Sequence, residues 1–258
     1  MVIKVAIAGP RGKMGREAVS TVIKNAEFLL VGLLDSKKQE ETLGDNIPIF
    51  TSLTELIEET APDVLVDLTV PSAVYDHTIT ALEYGVRPVV GTTGFSDAQL
   101  DSIRNLVEEK QIGCIIAPNF SIGAVLMMKF AQTAAKYLPN VEIIEMHHDE
   151  KIDAPSGTAI KTAQMIQNTR KEATQGHPQE EEILPGARGA NFEGMRIHSV
   201  RLPGLIAHQQ VLLGGDGQLL TLRHDSFNRG SFMSGVVLSI KEVMCQNKLI
   251  YGLEEIIL

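Results

Sequence analysis

Val2-Ile-Lys-Val-Ala-Ile-Ala-Gly9-Pro-Arg-Gly12-Lys-Met-Gly15-Arg16 is the stretch whose reading decides the fold. A strand-like run meets three glycines spaced three apart, and a helical pattern follows over 12–26. Glycines at the end of a strand and the mouth of a helix let the backbone approach a pyrophosphate, whose charge then meets the helix N-terminus. Gly-x-x-Gly-x-x-Gly is a variant of the usual Gly-x-Gly-x-x-Gly, and an ordinary strand-to-helix turn is the plain alternative. The context favours the nucleotide. A second apolar run, 28–34, leads to Asp35, 20 positions past Gly15. An acid at that place accepts both hydroxyls of an adenosine ribose. Arg11, Lys13, Lys37 and Lys38 are cations that suit a 2′-phosphate, which Asp35 would repel. Use of both NADH and NADPH is therefore expected.

Further apolar runs at 64–69, 86–90 and 112–117 alternate with helical patterns at 52–60, 72–84 and 96–110. Ser52 with Glu55, and Ser96 with Gln99, have capping-box spacing. Continuous apolar strands separated by amphipathic helices predict an α/β fold, a Rossmann-like doubly wound parallel sheet. Gly91-Thr92-Thr93-Gly94 closes the fourth strand and Ala117-Pro-Asn119-Phe120-Ser121 the fifth. Ligands of such sheets bind at the strands' carboxyl ends. The first of these turns suits a flat nicotinamide ring, and the second marks a hinge.

Past residue 120 the rhythm changes. A helical stretch near 122–138 leads to a strand at 141–146, and a polar surface loop is expected over 168–194. Strand-like runs follow at 195–202, 207–213 and 218–224, the last two joined by the hairpin signal Gly214-Gly215-Asp216-Gly217. A helical stretch at 230–246 and a short tail end the chain. An α+β substrate domain with a mixed, mostly antiparallel sheet is predicted over 120–228, and the dinucleotide domain over 1–119 with 229–258. Cofactor and substrate motifs then lie in different domains, so closure on binding is expected.

With 258 residues, 44% hydrophobic and 21% charged, the chain reads as folded and soluble. Its net charge of −9 argues against nucleic acid or an anionic membrane as partner, so an anionic ligand must meet a local basic patch. No apolar run approaches the roughly 18 residues of a membrane span. Cys114 and Cys245 lie in apolar patterns, so two buried thiols, no disulfide and a cytoplasmic setting are expected. No metal-ligand spacing occurs, and no metal is expected.

The chemistry lies in Glu145-Met-His147-His148-Asp-Glu-Lys151-Ile-Asp-Ala-Pro155-Ser156-Gly157-Thr158-Ala159. An imidazole can donate a proton near neutral pH. Lys151 adds positive potential, and Pro-Ser-Gly-Thr reads as a helix start whose N–H groups suit a carboxylate. A half-buried histidine beside an exposed one, and a surface lysine, are the plainer alternatives.

On Gly9–Arg16, Gly91–Gly94, Ala117–Ser121, Glu145–Ala159 and His224-Asp-Ser-x-x-Arg229-x-x-Phe232, the chain resembles the 4-hydroxy-tetrahydrodipicolinate (dihydrodipicolinate) reductase family. The resemblance implies a nucleotide domain completed by the C-terminal helix and a second domain that builds a homotetramer. It implies hydride transfer from NAD(P)H to ring C4 of a small dicarboxylate, with loss of water, in lysine biosynthesis. By its pattern His147 is the general acid. His148, Lys151, Ser156, Gly157 and Thr158 hold the substrate carboxylates, and Lys151 also assists proton transfer. Gly9, Arg11, Gly12, Lys13, Met14 and Gly15 fall on the pyrophosphate turn, Asp35 and Lys37 on the adenosine side, and Gly91, Thr93, Asn119 and Phe120 on the nicotinamide side. Some members carry arginine after the acidic position; Ser36 stands here. Two other readings remain open on the residues alone. One is an amino-acid dehydrogenase sharing residues 1–117; the other is a dinucleotide-binding redox sensor, for which a DNA-reading basic helix would be expected.

Overall fold

Each apolar run near the N-terminus becomes a strand because its side chains can be buried on both sheet faces at once. The computed structural model describes residues 2–37, 47–171, 173 and 175–257. Two compact units emerge, Met1–Ile122 with Arg229–Leu258, and Gly123–Asn228.

In the first unit, β1 (Ile3–Ala8), β2 (Phe28–Leu34), β3 (Ile49–Phe50), β4 (Val64–Asp67), β5 (Arg87–Val90) and β6 (Cys114–Ile116) pair only in parallel, in the order β6-β5-β4-β1-β2-β3. All four residues of β4 are buried, as befits a strand with helices on both sides. The helices are α1 (Lys13–Lys24), α2 (Leu53–Thr60), α3 (Pro71–Glu83) and α4 (Asp97–Lys110). In α1 the buried residues Gly15, Ala18, Val19 and Val22 form one stripe at helical spacing. Ser96 and Gln99 make the full capping box at the start of α4, whereas Ser52 supplies only the forward half at α2, accepting from the Glu55 N–H.

The second unit is built on a five-stranded sheet. After α5 (Ile122–Ala134) come β7 (Asn140–His147), α6 (Gly157–Gln167), β8 (Ala190–Phe192), β9 (Met195–Arg201), β10 (Ala207–Gly215) and β11 (Gln218–Ser226). The order is β11-β10-β7-β9-β8, with β7 and β9 parallel and every other pair antiparallel. Asp216-Gly217 makes the β10–β11 turn, and Gly217 takes φ +71°, a left-handed value costly for other residues. On central β7, Val141, Ile143 and Glu145 are buried, an alternation of period two that carries an acid onto the core face.

The last segment returns to the first unit. A 3-10 turn, Arg229–Phe232, leads into α7 (Met233–Val243), and β12 (Leu249–Tyr251) extends the parallel sheet beyond β6. A Cβ on Gly235 would collide with the Phe120 carbonyl, so the helix sits against that backbone at a distance only glycine allows.

Three expectations are corrected. The tail is a strand, because it finds the open edge of β6. The 168–194 stretch is not irregular throughout: β8 forms in it, and the buried Arg170 donates from its guanidinium to the carbonyls of Pro139, Ala173 and Glu193. Cys114 is buried, which pushes its thiol up, but Cys245 lies past the end of α7 and is exposed.

Candidate functional site

In the first unit the glycine turn is tight. Gly9 takes φ +77°, and a Cβ there would lie 2.8 Å from the Leu68 carbonyl oxygen. Gly12 donates its N–H to the Gly9 carbonyl at 3.2 Å. A Cβ on Gly15 would lie far inside contact distance of that same carbonyl oxygen, so α1 starts directly on the turn. Its N-cap is Gly12, which offers no side-chain acceptor to the first N–H groups. An uncapped helix start under a bare backbone fits an anionic pyrophosphate.

Asp35, next after β2, lies 3.3 Å from Arg11 Nε. Its Oδ1 accepts the Lys37 N–H at 2.9 Å, and the Lys37 side chain is exposed. Lys38 lies outside the described residues. Met14, Thr69, Pro71, Gly91, Thr92 and Thr93 line a cavity of about 300 Å³ at the carboxyl ends of the strands. The structure thus brings Met14, Gly91 and Thr93 together. Gly91 is required there: a Cβ would meet Leu68 and the Phe120 ring, each at 2.7 Å. Phe120 itself is buried, and Asn119 Oδ1 holds the Ser121 N–H at 2.8 Å.

One organiser of this cavity was not foreseen. Asp67, buried at the end of β4, accepts the Thr69 N–H and hydroxyl through Oδ1 and meets His77 Nδ1 at 2.8 Å through Oδ2. Thr92 then donates to the Thr69 carbonyl at 3.1 Å. The signal was an acid ending an otherwise apolar strand.

In the second unit His147 is the last residue of β7, with its side chain 15% exposed. Its Nδ1 lies 2.5 Å from Glu145 Oε2. Glu145 is fully buried, and Arg201 grips it with two bonds, Nη1 to Oε2 at 2.9 Å and Nη2 to Oε1 at 2.7 Å. Burial pushes this carboxyl up, but hydrogen bonds from His147, Arg201 and Ser199 outweigh it and bring it to about 2. The carboxylate is therefore always an acceptor near neutral pH. Facing that acceptor, His147 presents its Nδ1 side to the carboxylate, and Nε2 is the ring nitrogen Glu145 does not engage.

The regular strand ends at His147, so His148 is released from its alternation; His148 Nδ1 is buried with no hydrogen-bond partner among the described residues. Lys151 donates its N–H to the His148 carbonyl, and its ammonium holds Asp153 at 2.7 and 2.9 Å. The Ala154–Pro155 peptide is cis. Ser156 is buried as N-cap of α6: its hydroxyl accepts the Ala159 N–H, and its own N–H goes to Glu145 Oε1 at 3.2 Å. Gly157 is exposed, and a Cβ there would meet nothing within 4 Å; Thr158 follows at the helix start, half-buried. His147, Ser156 and Arg201 thus converge on one carboxylate, a hub the sequence reading passed over although Glu145 shares His147's strand face. No group of His, Cys, Asp or Glu among the described residues is placed to hold a metal, and no helix among them is long and apolar enough to cross a membrane.

Residues 3–120 match the family model described as "Dihydrodipicolinate reductase, N-terminus", and residues 123–257 the one described as "Dihydrodipicolinate reductase, C-terminus". The 4-hydroxy-tetrahydrodipicolinate reductase of Lysinibacillus sphaericus (strain C3-41) is 64% identical over 265 aligned positions, covering 100% of both chains. The enzyme of that name from Bacillus subtilis (strain 168) is 59% identical and covers 99% of this chain and 98% of its own. Among solved structures, the dipicolinate-bound dihydrodipicolinate reductase from Paenisporosarcina sp. TG-14 superposes with a TM-score of 0.94 at 59% identity, over 100% of both chains. With both halves matched and relatives alike along the full length, the chain belongs to the dihydrodipicolinate reductase family and is an oxidoreductase of lysine biosynthesis that uses a pyridine nucleotide.

Proposed function

We propose that this chain reduces 4-hydroxy-tetrahydrodipicolinate to tetrahydrodipicolinate, releasing the 4-hydroxyl as water, with His147 as the proton donor. Loss of the 4-hydroxyl together with a proton from the ring carbon between C4 and the imine, as water, leaves a double bond conjugated with that imine, and the reduced nucleotide, when bound, supplies the hydride to C4. His147 Nε2 delivers the proton to the carbon beside it, while Glu145 keeps Nδ1 occupied and the ring fixed. His148, Lys151, Ser156, Gly157 and Thr158 bind the carboxylates: Gly157 through its open N–H, Ser156 as a hydroxyl donor, and Lys151 by exchanging Asp153 for the ligand. The observation that carries this reading is the buried Glu145–Arg201 fork holding His147 and the start of α6 together. General acid assistance is typically worth about 10²–10⁴ in rate. His147→Gln should therefore lower kcat by about a hundredfold or more with KM little changed, measured as nucleotide oxidation on addition of substrate. An intact kcat would remove His147 from the mechanism.

Both nucleotides are expected to serve. Asp35 suits a ribose diol, and Arg11 beside it suits a phosphate. The pyrophosphate lies on Gly9, Gly12, Lys13, Met14 and Gly15, and the nicotinamide near Gly91, Thr93, Asn119 and Phe120. The proposed assembly is a homotetramer built through Gly123–Asn228. Edge strand β11 supports it, since Leu219 and Leu220 are both solvent-exposed in the single chain. Light scattering should give four times the chain mass; a monomer would refute this.

A further inference from the structure

We infer that Glu145 is a positioning residue that sets the tautomer of His147 and couples the acid to the anion-binding start of α6. The inference rests on the reading of His147 as proton donor. A single carboxylate, with no solvent exposure, receives the Nδ1 side of His147 on Oε2 and the Ser156 N–H on Oε1. Both oxygens are also held by Arg201, whose Nη2 reaches on to the Asp153 carbonyl at 2.8 Å. Strand end, loop and helix start thus share one anchor. The burial of that anchor needs a reason, because a buried ion pair is often no more stabilising than apolar packing. Here it leaves Nε2 as the only ring nitrogen that can face a ligand. It also fixes the helix start and the acid within one hydrogen-bonded frame, so that a dicarboxylate held by the one is registered with the other. The charged groups joined to this hub are Glu145 on the strand of His147, Arg201 on β9, and Asp153, whose carbonyl accepts from Arg201 and whose carboxylate is held by Lys151.

The test is a nitrogen-15 NMR measurement of the His147 ring in the unliganded enzyme at a pH where it is neutral, with kinetics on Glu145→Gln. In the wild type His147 should be the Nδ1–H tautomer. An Nε2–H tautomer would overturn the inference, and this readout needs no variant to fold. Glu145→Gln should mix the tautomers and lower kcat about 10–100-fold, with the KM for nucleotide within about twofold of wild type. An unchanged tautomer and kcat in that variant would refute the coupling. Should His147→Gln retain its kcat while wild-type His147 is the Nδ1–H form, the acid reading fails and the tautomer assignment stands; loss of kcat in His147→Gln with no loss in Glu145→Gln fails the coupling alone.

Discussion

Lys151 shows how a side chain's partner in the unliganded protein bears on what it can bind. Its ammonium holds Asp153, whose carboxylate is largely exposed. An exposed pair of this kind is worth only about 0–1 kcal/mol, so a dianionic ligand can displace Asp153 at little cost. On the role proposed for Lys151 in both binding and proton transfer, Lys151→Ala should raise the substrate KM and lower kcat together in steady-state kinetics. A change in KM alone would confine Lys151 to binding. Asp35 is the counterpart in the first unit. Asp35→Asn should raise the KM for NADH by roughly tenfold, the worth of one charge-assisted hydrogen bond, and spare NADPH. Equal losses with both nucleotides would show that Asp35 does not read the ribose. Most of these side chains were legible in advance because the motif spacings name them. Glu145 was not, since an acid in a strand declares its role only through its partners.

At the scale of elements, the starts of α1 and α6 solve opposite problems. Gly12 caps α1 with no side chain, whereas Ser156 caps α6 with its hydroxyl and donates its N–H to Glu145. Ser156→Ala should cost about 1 kcal/mol of stability for the lost cap, read as a lower Tm. Gly15→Ala should cost more, about 1–3 kcal/mol for forcing a methyl into the turn, and nucleotide affinity should fall with it in a fluorescence titration. Unimpaired nucleotide binding in Gly15→Ala would show that the turn has slack that the Gly9 contact denies. The helices and strands of the first unit follow their periodicity closely. The end of the chain did not, because the three residues of β12 are too short to carry a pattern and form only against β6.

For the molecule as a whole, the depressed carboxylates set its response to acid. Glu145 sits at about 2 in the fold against an ordinary 4.5, so its contribution is fully present above pH 4.5 and is lost as pH falls through about 2. Glu142, held down by Arg188 and His198 against burial, and Asp225, held down first by Arg223, act in the same direction. His224, lowered chiefly by burial, adds a loss that begins as pH drops below its ordinary 6.5. Tm measured from pH 7 to pH 2 should therefore decline, slowly at first and steeply below pH 4.5. A flat profile across that lower range would mean the Glu145 fork contributes nothing to stability. The net charge of −9 makes the local cations, rather than the overall field, responsible for holding an anionic ligand.

What the sequence by itself determined were the local devices: the glycine turn, the capping residues, the alternation of strands and helices, and the His147–Thr158 segment that ends a strand and opens a helix. Each depends on residues within a few positions of one another, where period and turn chemistry act directly. Only the tertiary structure decided which distant groups meet. Arg201 reaches Glu145 across 56 residues because β9 lies beside β7 in register, and β12 forms because β6 leaves an edge. Strand adjacency is settled by the packing of the whole sheet, so pairings that depend on it leave no mark in spacing.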